Sequence, residues 1–516
     1  MTQENWLLST HRWLSSEYAD SAPDTIADSL AASSLAEIDV LVAMLIGEFT
    51  QLCSQPRRLR LLLQLVASRV LQLVHEHGGS EHALLSSDSL GQLYDLLSEV
   101  EPTAAAHVLQ ILAAQADEES LTALAQLLVD SPPSDWQLVG LSLSPLWKAD
   151  GPRLQLFFDR LEDGFVHPTT MAVLLDLANH SVRTNRLSEH PWSARQGELA
   201  KLLDQVVIRL EQLEKEPTRF GDRIEVVQQV LADSIALTVS LCDSLGLMRS
   251  EFATKSLKEA LSLSHRRIQT EAAGALARLG DQEGIDRLIG LASDPVARSR
   301  SVAYAEELGL AEIVPEELRY PQALAESDLA AWLASPQQFG IPPIAMEHIE
   351  TRTLYWPGYD EPRDCFLFRY QYQFPNGQFS NIGIAGPVAH AFQADLNSLA
   401  VDDIYAAFAG WHAEHEEIFE VPVNLLNSAQ RREADRLSSV FELAEYEVLS
   451  GVALTFLLGE FSLLAHLKRD GQRMIGITDG NESVCFPVTD SPTALTPEVV
   501  LAIYRGRKLL RSFNID

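Results

Sequence analysis

One short segment of the chain carries two imidazoles and a carboxylate at a spacing suited to metal binding. His412, His415 and Glu416 stand at positions i, i+3 and i+4, so on a helix all three lie on one face. His390 follows a Gly-Pro turn and supplies a third nitrogen ligand if the fold brings it near. Imidazoles and carboxylates of this kind hold divalent metal ions. The pattern predicts a metal site that would serve a metal-assisted hydrolase or lyase.

A second interpretation of the same segment needs no metal. A helix over Asp403–Phe419 would bury Ile404, Phe408, Trp411 and Ile418 and leave the acidic and histidine side chains in water. The segment does not contain the HExxH pattern, and no second motif supports a metal. Both interpretations stay open, although the amphipathic helix accounts for more of the residues. We assign no cofactor and no catalytic residue from the sequence.

Three large aromatic side chains occupy a loop with proline and glycine, Leu354–Pro362, between two predicted strands. The loop itself could not bury all of Tyr355, Trp356 and Tyr359. Exposed aromatic residues often anchor protein interfaces, and they also serve to dock one part of a chain onto another. We therefore predict that these residues contact either a partner protein or the helical part of the same chain.

Signals for anion binding are few. Arg505, Lys508 and Arg511 recur at three-residue spacing on the last predicted helix, where Arg507 also lies. They could bind an anionic group, or they could complement the dipole at the helix C-terminus. The chain has no GxGxxG after a strand, no GxxxxGK[ST] loop and no GxSxG elbow, so nucleotide-dependent and α/β-hydrolase chemistries lack their usual motifs.

The elements that would position these residues fall into two parts, and the first is repetitive. Arg266–Gly280 and Val296–Gly309 share one pattern at a distance of about 29 positions, a period typical of stacked helical hairpins. In the second repeat, one helix begins at Glu283, a turn follows at Asp294-Pro295, and the next helix ends at Gly309. Each helix has a single apolar stripe that is buried only against a neighbour. The pattern predicts an α-solenoid over residues 1–320.

Two stretches carry a resemblance to a known family. Asp294-Pro295-Val296 with Arg298, and the run AAGALARLGD over Ala272–Asp281, resemble the HEAT-repeat family, especially the short repeats of phycobilisome-lyase-like proteins. The resemblance covers Thr254–Leu310. It implies a curved superhelix that binds proteins, with some members acting on chromophores or nucleic acids. Arg298 is accordingly a candidate binding residue, and Gln269 replaces it in the earlier repeat, so the Asp-to-Arg ladder of longer arrays is expected to be incomplete.

Upstream of these repeats the helical pattern continues with irregular lengths. Leucine-rich stripes predict helices at Arg57–His75, Ala104–Ala114, Glu118–Val129, Trp136–Trp147, Pro152–Leu161, Thr169–Ala178, Ala194–Lys215 and Arg223–Leu247. The polar segment Ser181–Ser193 is predicted to be a protruding loop, either functional or a disordered connection.

A smaller α+β domain with antiparallel hairpins is predicted over residues 344–516, where the hydrophobic period changes from 3.6 to 2. Residues 321–343 are predicted to be a linker with a short helix around Leu329–Leu333. Predicted strands are Ile349–Trp356, Cys365–Phe374, Phe379–Ala385, Leu463–Lys468, Arg473–Thr478 and Ser483–Val488, with tight turns at Asn376-Gly377 and Asp470-Gly471. Predicted helices are Pro387–Leu399, Asp403–Phe419, Ser428–Leu449 and Pro497–Phe513.

Net charge narrows the class of partner. The chain has 39 Lys and Arg against 72 Asp and Glu, which gives a formal charge of −33. Proteins that grip phosphate backbones or anionic membranes need basic residues, so general nucleic-acid and membrane binding are disfavoured. A basic protein partner is electrostatically easier to bind.

Other features indicate a cytoplasmic protein with reduced cysteines. Met1–Ser9 lacks the positive start and apolar run of a secretory signal, and the most apolar stretches, Val40–Ile46 and Val452–Leu458, are too short to span a bilayer. The four cysteines show no CxxC spacing, so we expect them to be reduced and buried.

These observations together predict a non-catalytic scaffold or adaptor that binds a protein on the concave face of an irregular HEAT-like solenoid. A metal-assisted hydrolase or lyase in the α+β domain, and a chromophore-lyase-like protein, are the alternatives.

Overall fold

The structure, a computed structural model, describes residues 3–15, 24–52, 55–77, 85–161, 167–221, 223–335, 337–375, 377–413 and 419–514. Its contacts divide the chain into two compact units, Met1–Leu288 and Ile289–Asp516. The first is helical and is called the helical unit. The second contains helices and two antiparallel sheets and is called the α+β unit. The predicted order, a helical part followed by an α+β part, is confirmed. The division by contacts falls at 288, whereas the change of sequence pattern falls near 340.

Several helices of the helical unit begin at side-chain caps. For example, the Asp117 carboxylate accepts hydrogen bonds from the N–H groups of Glu119 and Ser120 at the start of a helix. The helices are α1 (Gln3–Ser15), α2 (Asp24–Ala31), α3 (Leu35–Gly47), α4 (Phe49–Leu52), α5 (Pro56–His77), α6 (Ser87–Ser98), α7 (Pro102–Gln115), α8 (Glu118–Asp130), α9 (Trp136–Leu143), α10 (Gly151–Arg160), α11 (Pro168–Arg183), α12 (Gln196–Lys215), α13 (Ile224–Leu247), α14 (Thr254–Ser262), α15 (Arg266–Arg278) and α16 (Gln282–Leu291), the last of which spans the division.

Helices of this unit contact every second helix along the chain. One series of contacts joins α5, α7, α9, α11, α13 and α15 in that order, and α6 with α8, α8 with α10, and α12 with α14 are also neighbours. Consecutive helices such as α6 and α7, α12 and α13, and α14 and α15 also pack together. This order of contacts is typical of stacked helical hairpins. The solenoid stays a prediction that these contacts favour.

The repeat found in the sequence recurs in the hydrogen bonds. Gln269 Nε2 donates to the carbonyl oxygen of Leu263 at 2.6 Å, and Arg298 Nε donates to the carbonyl oxygen of Ala292 at 3.1 Å. Leu263 and Ala292 are separated by the same number of positions as Gln269 and Arg298. Gln269 therefore makes the same bond to the preceding turn as Arg298 does one repeat later. Arg298 makes further hydrogen bonds, to Ala323 and Glu326, that its counterpart Gln269 does not make.

Small residues allow two helices of the helical unit to approach closely. A Cβ atom added at Gly246 in α13 would lie 2.9 Å from the Cβ atom of Ala275 in α15. The sequence predicted close approach from the run of small residues in α15, and the structure confirms it. Helix α13 is also the one described helix with the length and composition of a membrane span, and 61% of that stretch is buried inside the protein, as in a core helix.

The prediction of a protruding loop at Ser181–Ser193 is wrong. Helix α11 continues to Arg183, and the rest of the segment folds back onto the unit. Arg186 Nη1 donates to the carbonyl oxygen of Trp147 at 2.7 Å, and the buried Trp192 ring meets Phe158 edge-on at 5.4 Å between centroids. The polar composition of this segment suggested an exposed loop, but the buried Trp192 near the end of the segment holds it against the helical unit.

The α+β unit contains five complete helices and two sheets in its described residues. The helices are α17 (Arg298–Glu307), α18 (Pro321–Leu333), α19 (Val401–His412), α20 (Ser428–Leu443) and α21 (Pro497–Phe513). The first sheet contains, in spatial order, β1 (Ala345–Tyr355), β2 (Pro362–Phe374), β3 (Gly377–Ala385) and β4 (His390–Ala391). The second contains β5 (Phe419–Pro422), β6 (Glu447–Leu457), β7 (Glu460–Arg469), β8 (Gln472–Thr478) and β9 (Ser483–Pro487).

Strand β2 is buried on both faces because its alternate side chains face two different cores. Phe366 and Phe368 pack with Leu329 and Leu333 of α18, whereas Leu367 packs with residues of α19. The predicted linker helix around Leu329–Leu333 is therefore a 13-residue helix that covers the first sheet. Helix α21 contributes to the core with α19 and also to a core with β7 and β8.

The helix predicted at Pro387–Leu399 is absent, and turns with the short strand β4 stand in its place. The buried Asn381 side chain explains this, because its Nδ2 donates to the carbonyl oxygens of Phe392 and Ala394. Its Oδ1 accepts from the Leu396 N–H at 3.0 Å. The Asn381 side chain thus bonds to backbone carbonyl and N–H groups that would pair with one another in a helix.

The helix predicted at Ser428–Leu449 is too long. Helix α20 ends at Leu443, Glu445 takes a positive φ of 64°, and β6 begins at Glu447. The two predicted hairpins are confirmed by the antiparallel pairing of β2 with β3 and of β7 with β8, although Asn376 of the first turn lies outside the described residues. Strands β5 and β6 were not predicted. Helix α19 ends at His412, short of the predicted Phe419.

The cysteines are consistent with the predicted reduced state. Cys242 and Cys365 are buried and Cys485 is partly buried, and all three are free. Burial raises the pKa of each thiol, which disfavours the reactive thiolate. Cys53 lies outside the described residues.

Candidate functional site

Residues predicted from two separate sequence signals meet at the C-terminal end of α19. His390 and His412 belong to the predicted metal set, and Trp356 and Tyr359 belong to the aromatic loop. With Trp411 they form a group that we call the imidazole–aromatic cluster. Strand β4 supplies His390, α19 supplies Trp411 and His412, and the loop after β1 supplies Trp356 and Tyr359.

His390 lies among aromatic rings. It stacks on Trp411 with ring centroids 3.6 Å apart and an interplanar angle of 10°, and the rings of Trp332 and Phe392 meet it edge-on at 5.2 and 5.1 Å. Burial lowers the pKa of His390 to about 4, so the imidazole is neutral at neutral pH. A neutral imidazole is the form that binds metals and accepts hydrogen bonds.

His412 is flanked by the aromatic loop. The Tyr359 ring lies nearly parallel to it at 6.3 Å between centroids, and the Trp356 ring lies 6.4 Å away. Two polar atoms here, His412 Nδ1 and Trp356 Nε1, are buried without a hydrogen-bond partner. The Tyr359 hydroxyl donates to the Pro387 carbonyl oxygen at 2.8 Å, which fixes the loop against the turn before His390.

The metal hypothesis stays a prediction. His415 and Glu416 lie outside the described residues. Within the described part of the chain, no three His, Cys, Asp or Glu side chains are grouped so as to hold a metal ion. The structure does bring His390 near His412, because His390 stacks on Trp411, whose ring centroid lies 6.3 Å from that of His412.

Trp356 is not an exposed interface residue, which corrects the prediction from the aromatic loop. Its side chain is 1% exposed and belongs to the core of the α+β unit. Tyr359 is partly buried against the same core, and Tyr355 remains 46% exposed. The loop is short, but α19 and the first sheet of the same unit provide the apolar surface that buries it. Of the three aromatic residues, Tyr355 has the largest exposed fraction and is the one that a partner could contact.

Arg298 is also not presented to a partner, which corrects its assignment as a binding residue. It is 5% exposed. Its Nη1 donates to the Ala323 carbonyl oxygen at 2.9 Å and to the Glu326 carboxylate at 2.5 Å, in addition to the bond with Ala292. The guanidinium connects the turn before α17 to α18, which is a structural role.

Replacing Arg298 by methionine is expected to lower the free energy of unfolding by about 3 kcal/mol, because the change leaves the partly buried Glu326 carboxylate and two carbonyl oxygens without their donor. Urea unfolding measures the effect. Arg436→Met removes an exposed arginine that pairs with Glu433 on α20 and is expected to cost less than about 1 kcal/mol. Equal losses for the two variants would contradict the structural role of Arg298.

The helical unit holds a second candidate site that the sequence did not reveal. Asp176 on α11 has an exposed side chain, yet burial by the surrounding protein raises its pKa to about 6. Asp243 and Glu271 raise the pKa further, while the Ser240 hydroxyl and Arg267 oppose the rise. The Asp176 side chain therefore keeps contact with solvent, although the surrounding protein atoms disfavour its charged form.

Three neighbouring helices bring these acids together. Helix α13 contacts both α11 and α15, and the acids come one from each helix. We call Asp176, Asp243 and Glu271 the carboxylate cluster. Both oxygens of Asp243 accept hydrogen bonds from Arg183. The only sequence signal was an acidic residue within each of three otherwise apolar or small stretches, LLDLA, LCDSL and TEAAG, and spacing along the chain does not show that such residues meet.

The basic residues of the last helix have internal partners. Arg507 Nε donates to Asp403 at 2.7 Å, Lys508 Nζ lies 2.5 Å from Asp479, and Arg511 Nη2 donates to Glu482 at 2.8 Å. These ion pairs tie α21 to α19 and to the turn before β9. The predicted alternative, that the cations bind an external anion, loses its support.

Comparisons with known proteins leave the function to be argued from these two sites. No protein-family model matches the chain. No curated protein matches it either.

Proposed function

We propose that the protein is a non-catalytic adaptor whose helical unit binds a basic protein partner at the carboxylate cluster. The observation that carries the proposal is the raised pKa of Asp176, about 6, on a side chain that is still accessible to solvent. Burial is the main cause of the raised pKa, and the nearby Arg267 does not offset it, so the charged carboxylate stays poorly stabilised in the free protein. A lysine or arginine from a partner would stabilise that charged form.

Two further features support this proposal. The formal charge of −33 attracts a positively charged partner over the whole surface and speeds its association. The first half of α13 also exposes apolar side chains: Ile224, whose side chain is 72% exposed, and Val226. Ile208 of α12 is exposed as well. Ile224 precedes Asp243 by nineteen residues on α13, roughly 28 Å along the helix, so an interface that uses both the apolar side chains and the carboxylate cluster would run along α13.

The contacts between every second helix favour an extended array, which is suited to holding a partner along its length. The HEAT resemblance stays part of this proposal and accounts for the choice of a protein partner over a small substrate. The cytoplasmic location likewise stays a prediction from the sequence.

Affinity capture from the source cell with full-length baits tests the proposal. Wild type, Asp176→Asn and the control Glu119→Gln are compared, and the control removes one exposed negative charge from α8. We expect a protein of basic composition to be retained by wild type and by the control. Asp176→Asn is expected to bind it about tenfold more weakly, a change of roughly 1.4 kcal/mol. Equal retention by all three baits would exclude the carboxylate cluster as the contact, and no retention by wild type would contradict the adaptor function.

Asp176 also makes stability depend on pH. Its pKa is higher in the folded state, about 6, than the ordinary 3.8, so the native state binds more protons between these values and stability falls as pH rises through this range. Asp176→Asn is therefore expected to be more stable than wild type at pH 8, by about 1 kcal/mol after allowance for screening by solvent. The difference should vanish below about pH 4. Thermal unfolding from pH 3.5 to 8 measures it, and equal stability at pH 8 would show that Asp176 is adequately compensated.

A metal-assisted hydrolase or lyase is the second candidate function. It is favoured by one observation, that His390 stacks on Trp411, whose ring centroid lies 6.3 Å from that of His412. This function requires about one equivalent of metal per chain after purification, which elemental analysis measures, and its loss in His412→Phe. The chromophore-lyase-like role rests on the HEAT resemblance and would be supported by a bilin absorbance change on mixing.

A further inference from the structure

Trp356, in the core of the α+β unit, and the partly buried His412 beside it have polar atoms that no group among the described residues satisfies. Trp356 Nε1 and His412 Nδ1 are both buried without a hydrogen-bond partner, and their rings lie 6.4 Å apart between centroids. A buried polar group without a partner costs about 1–3 kcal/mol, so such groups are rare. Two of them side by side suggest that a third group normally lies between them.

The surrounding structure holds these two rings in place. The Tyr359 N–H donates to the Trp356 carbonyl oxygen at 3.1 Å, and the Tyr359 hydroxyl is fixed by Pro387. Gly358, at the exposed tip of the loop, has a positive φ of 83°, and a Cβ there would have His412 Cε1 as its one neighbour within 4 Å, at 3.9 Å. The loop therefore covers His412 through a glycine, with no side chain between them.

The two atoms select the chemistry of the missing group. An indole N–H is a donor only, and an imidazole Nδ1 can donate as well. A group that satisfies both is a hydrogen-bond acceptor with two lone pairs or two oxygens. Two flat rings border His412: the Tyr359 ring lies nearly parallel to it at 6.3 Å between centroids, and the Trp411 ring is tilted from it by 44°. Flat walls and an acceptor at the base match a small planar molecule that carries an sp² oxygen.

We propose that Trp356 and His412 bind the carbonyl-type oxygen of a small planar ligand, a carboxylate or an amide, beneath the loop that carries Tyr359. Both atoms are closed to water in the free protein, so the ligand enters as the loop at Gly358 moves away from His412. Arg363, whose guanidinium carbon lies 4.9 Å from the centre of the Tyr359 ring, adds a positive charge near this loop. This site does not depend on the adaptor function, which concerns the helical unit.

Benzoate and benzamide are the probes, because they share the planar ring and the sp² oxygen and differ in charge. The full-length protein contains eight tryptophans, whose ¹⁵N-labelled indole N–H groups each give one NMR signal. Trp356→Phe identifies the signal of Trp356. Trp13 is the matched internal control, since it is 5% exposed and its Nε1 also lacks a partner, but it lies in the helical unit.

We expect the Trp356 signal to move saturably with a midpoint of about 1–10 mM for one or both probes, while the Trp13 signal stays still. His412→Phe is expected to weaken the effect about tenfold. Saturation by benzoate alone identifies a carboxylate ligand, and saturation by both identifies a carbonyl acceptor irrespective of charge. A binding site is overturned if neither probe moves the wild-type signal, or if Trp13 moves equally. The site is also overturned if the ligand-free Trp356 signal moves upfield in His412→Phe and neither probe moves the wild-type signal. That result would mean that the Trp356 indole N–H donates directly to His412 in the wild-type protein, with no ligand between them.

Discussion

Gly506→Ala is expected to destabilise the α+β unit by about 3 kcal/mol or more, because two helices have no room for a methyl group where they cross. A Cβ at Gly506 in α21 would lie 1.7 Å from the Ala406 carbonyl oxygen of α19. The reciprocal contact is similar, since a Cβ at Gly410 would lie 1.9 Å from the Ala502 carbonyl oxygen. Both obstacles are backbone atoms, so the helices themselves must separate.

Separation of α19 and α21 would open the core that both helices share with the first sheet. Urea unfolding of the full-length protein measures the loss. Gly91→Ala in α6 is the matched control, because nothing lies within 4 Å of its added methyl group. That change is expected to stabilise the helix by about 0.5–1 kcal/mol through the higher helix propensity of alanine. A loss below about 1 kcal/mol at Gly506 would contradict the close crossing.

Asp479→Asn is expected to cost about 3 kcal/mol, because it breaks a buried ion pair at its negative partner. The carboxylate lies 2.5 Å from Lys508 Nζ and accepts a hydrogen bond from the Tyr504 hydroxyl at 2.8 Å. The N–H groups of Asn481 and Glu482 each donate to it at 2.7 Å. An amide would leave the Lys508 ammonium without its buried counter-charge.

The same residue predicts acid sensitivity. Burial by itself raises the pKa of Asp479, but Lys508, the two N–H groups and Tyr504 outweigh it and lower the pKa to about 2. A carboxylate with a lowered pKa stabilises the folded state above its ordinary value of 3.8, and that stability is lost as pH falls from about 4 to 2. The expected loss is about 2 kcal/mol.

Thermal unfolding between pH 2 and 5 separates wild type from Asp479→Asn, in which this part of the acid dependence should disappear. Glu460→Gln is the control on the other side of the same lysine, because Glu460 also contacts Lys508 Nζ but is about half exposed. It is expected to cost less than about 1 kcal/mol. If the two variants were equally destabilised, the burial of Asp479 would not be the cause.

Much of the local structure could be predicted from the sequence, because the signals act over a few residues. The repeat at Arg266–Gly280 and Val296–Gly309 predicted helices that the structure confirms as α15 and α17. Glycine turns predicted the hairpins of β2 with β3 and of β7 with β8. Predictions failed where a distant side chain decides the backbone, as at Pro387–Leu399, where Asn381 takes the hydrogen bonds of the segment.

The sequence alone determined the helical and α+β parts, the positions of most helices, the acidic charge and the residues able to do chemistry. Only the tertiary structure decided which of those residues meet. Trp356 and His412 are far apart in the chain, and so are Asp176, Asp243 and Glu271, but each set converges where elements cross. Periodicity reports which face of an element is apolar, whereas burial, pKa and missing hydrogen-bond partners depend on what packs against that face.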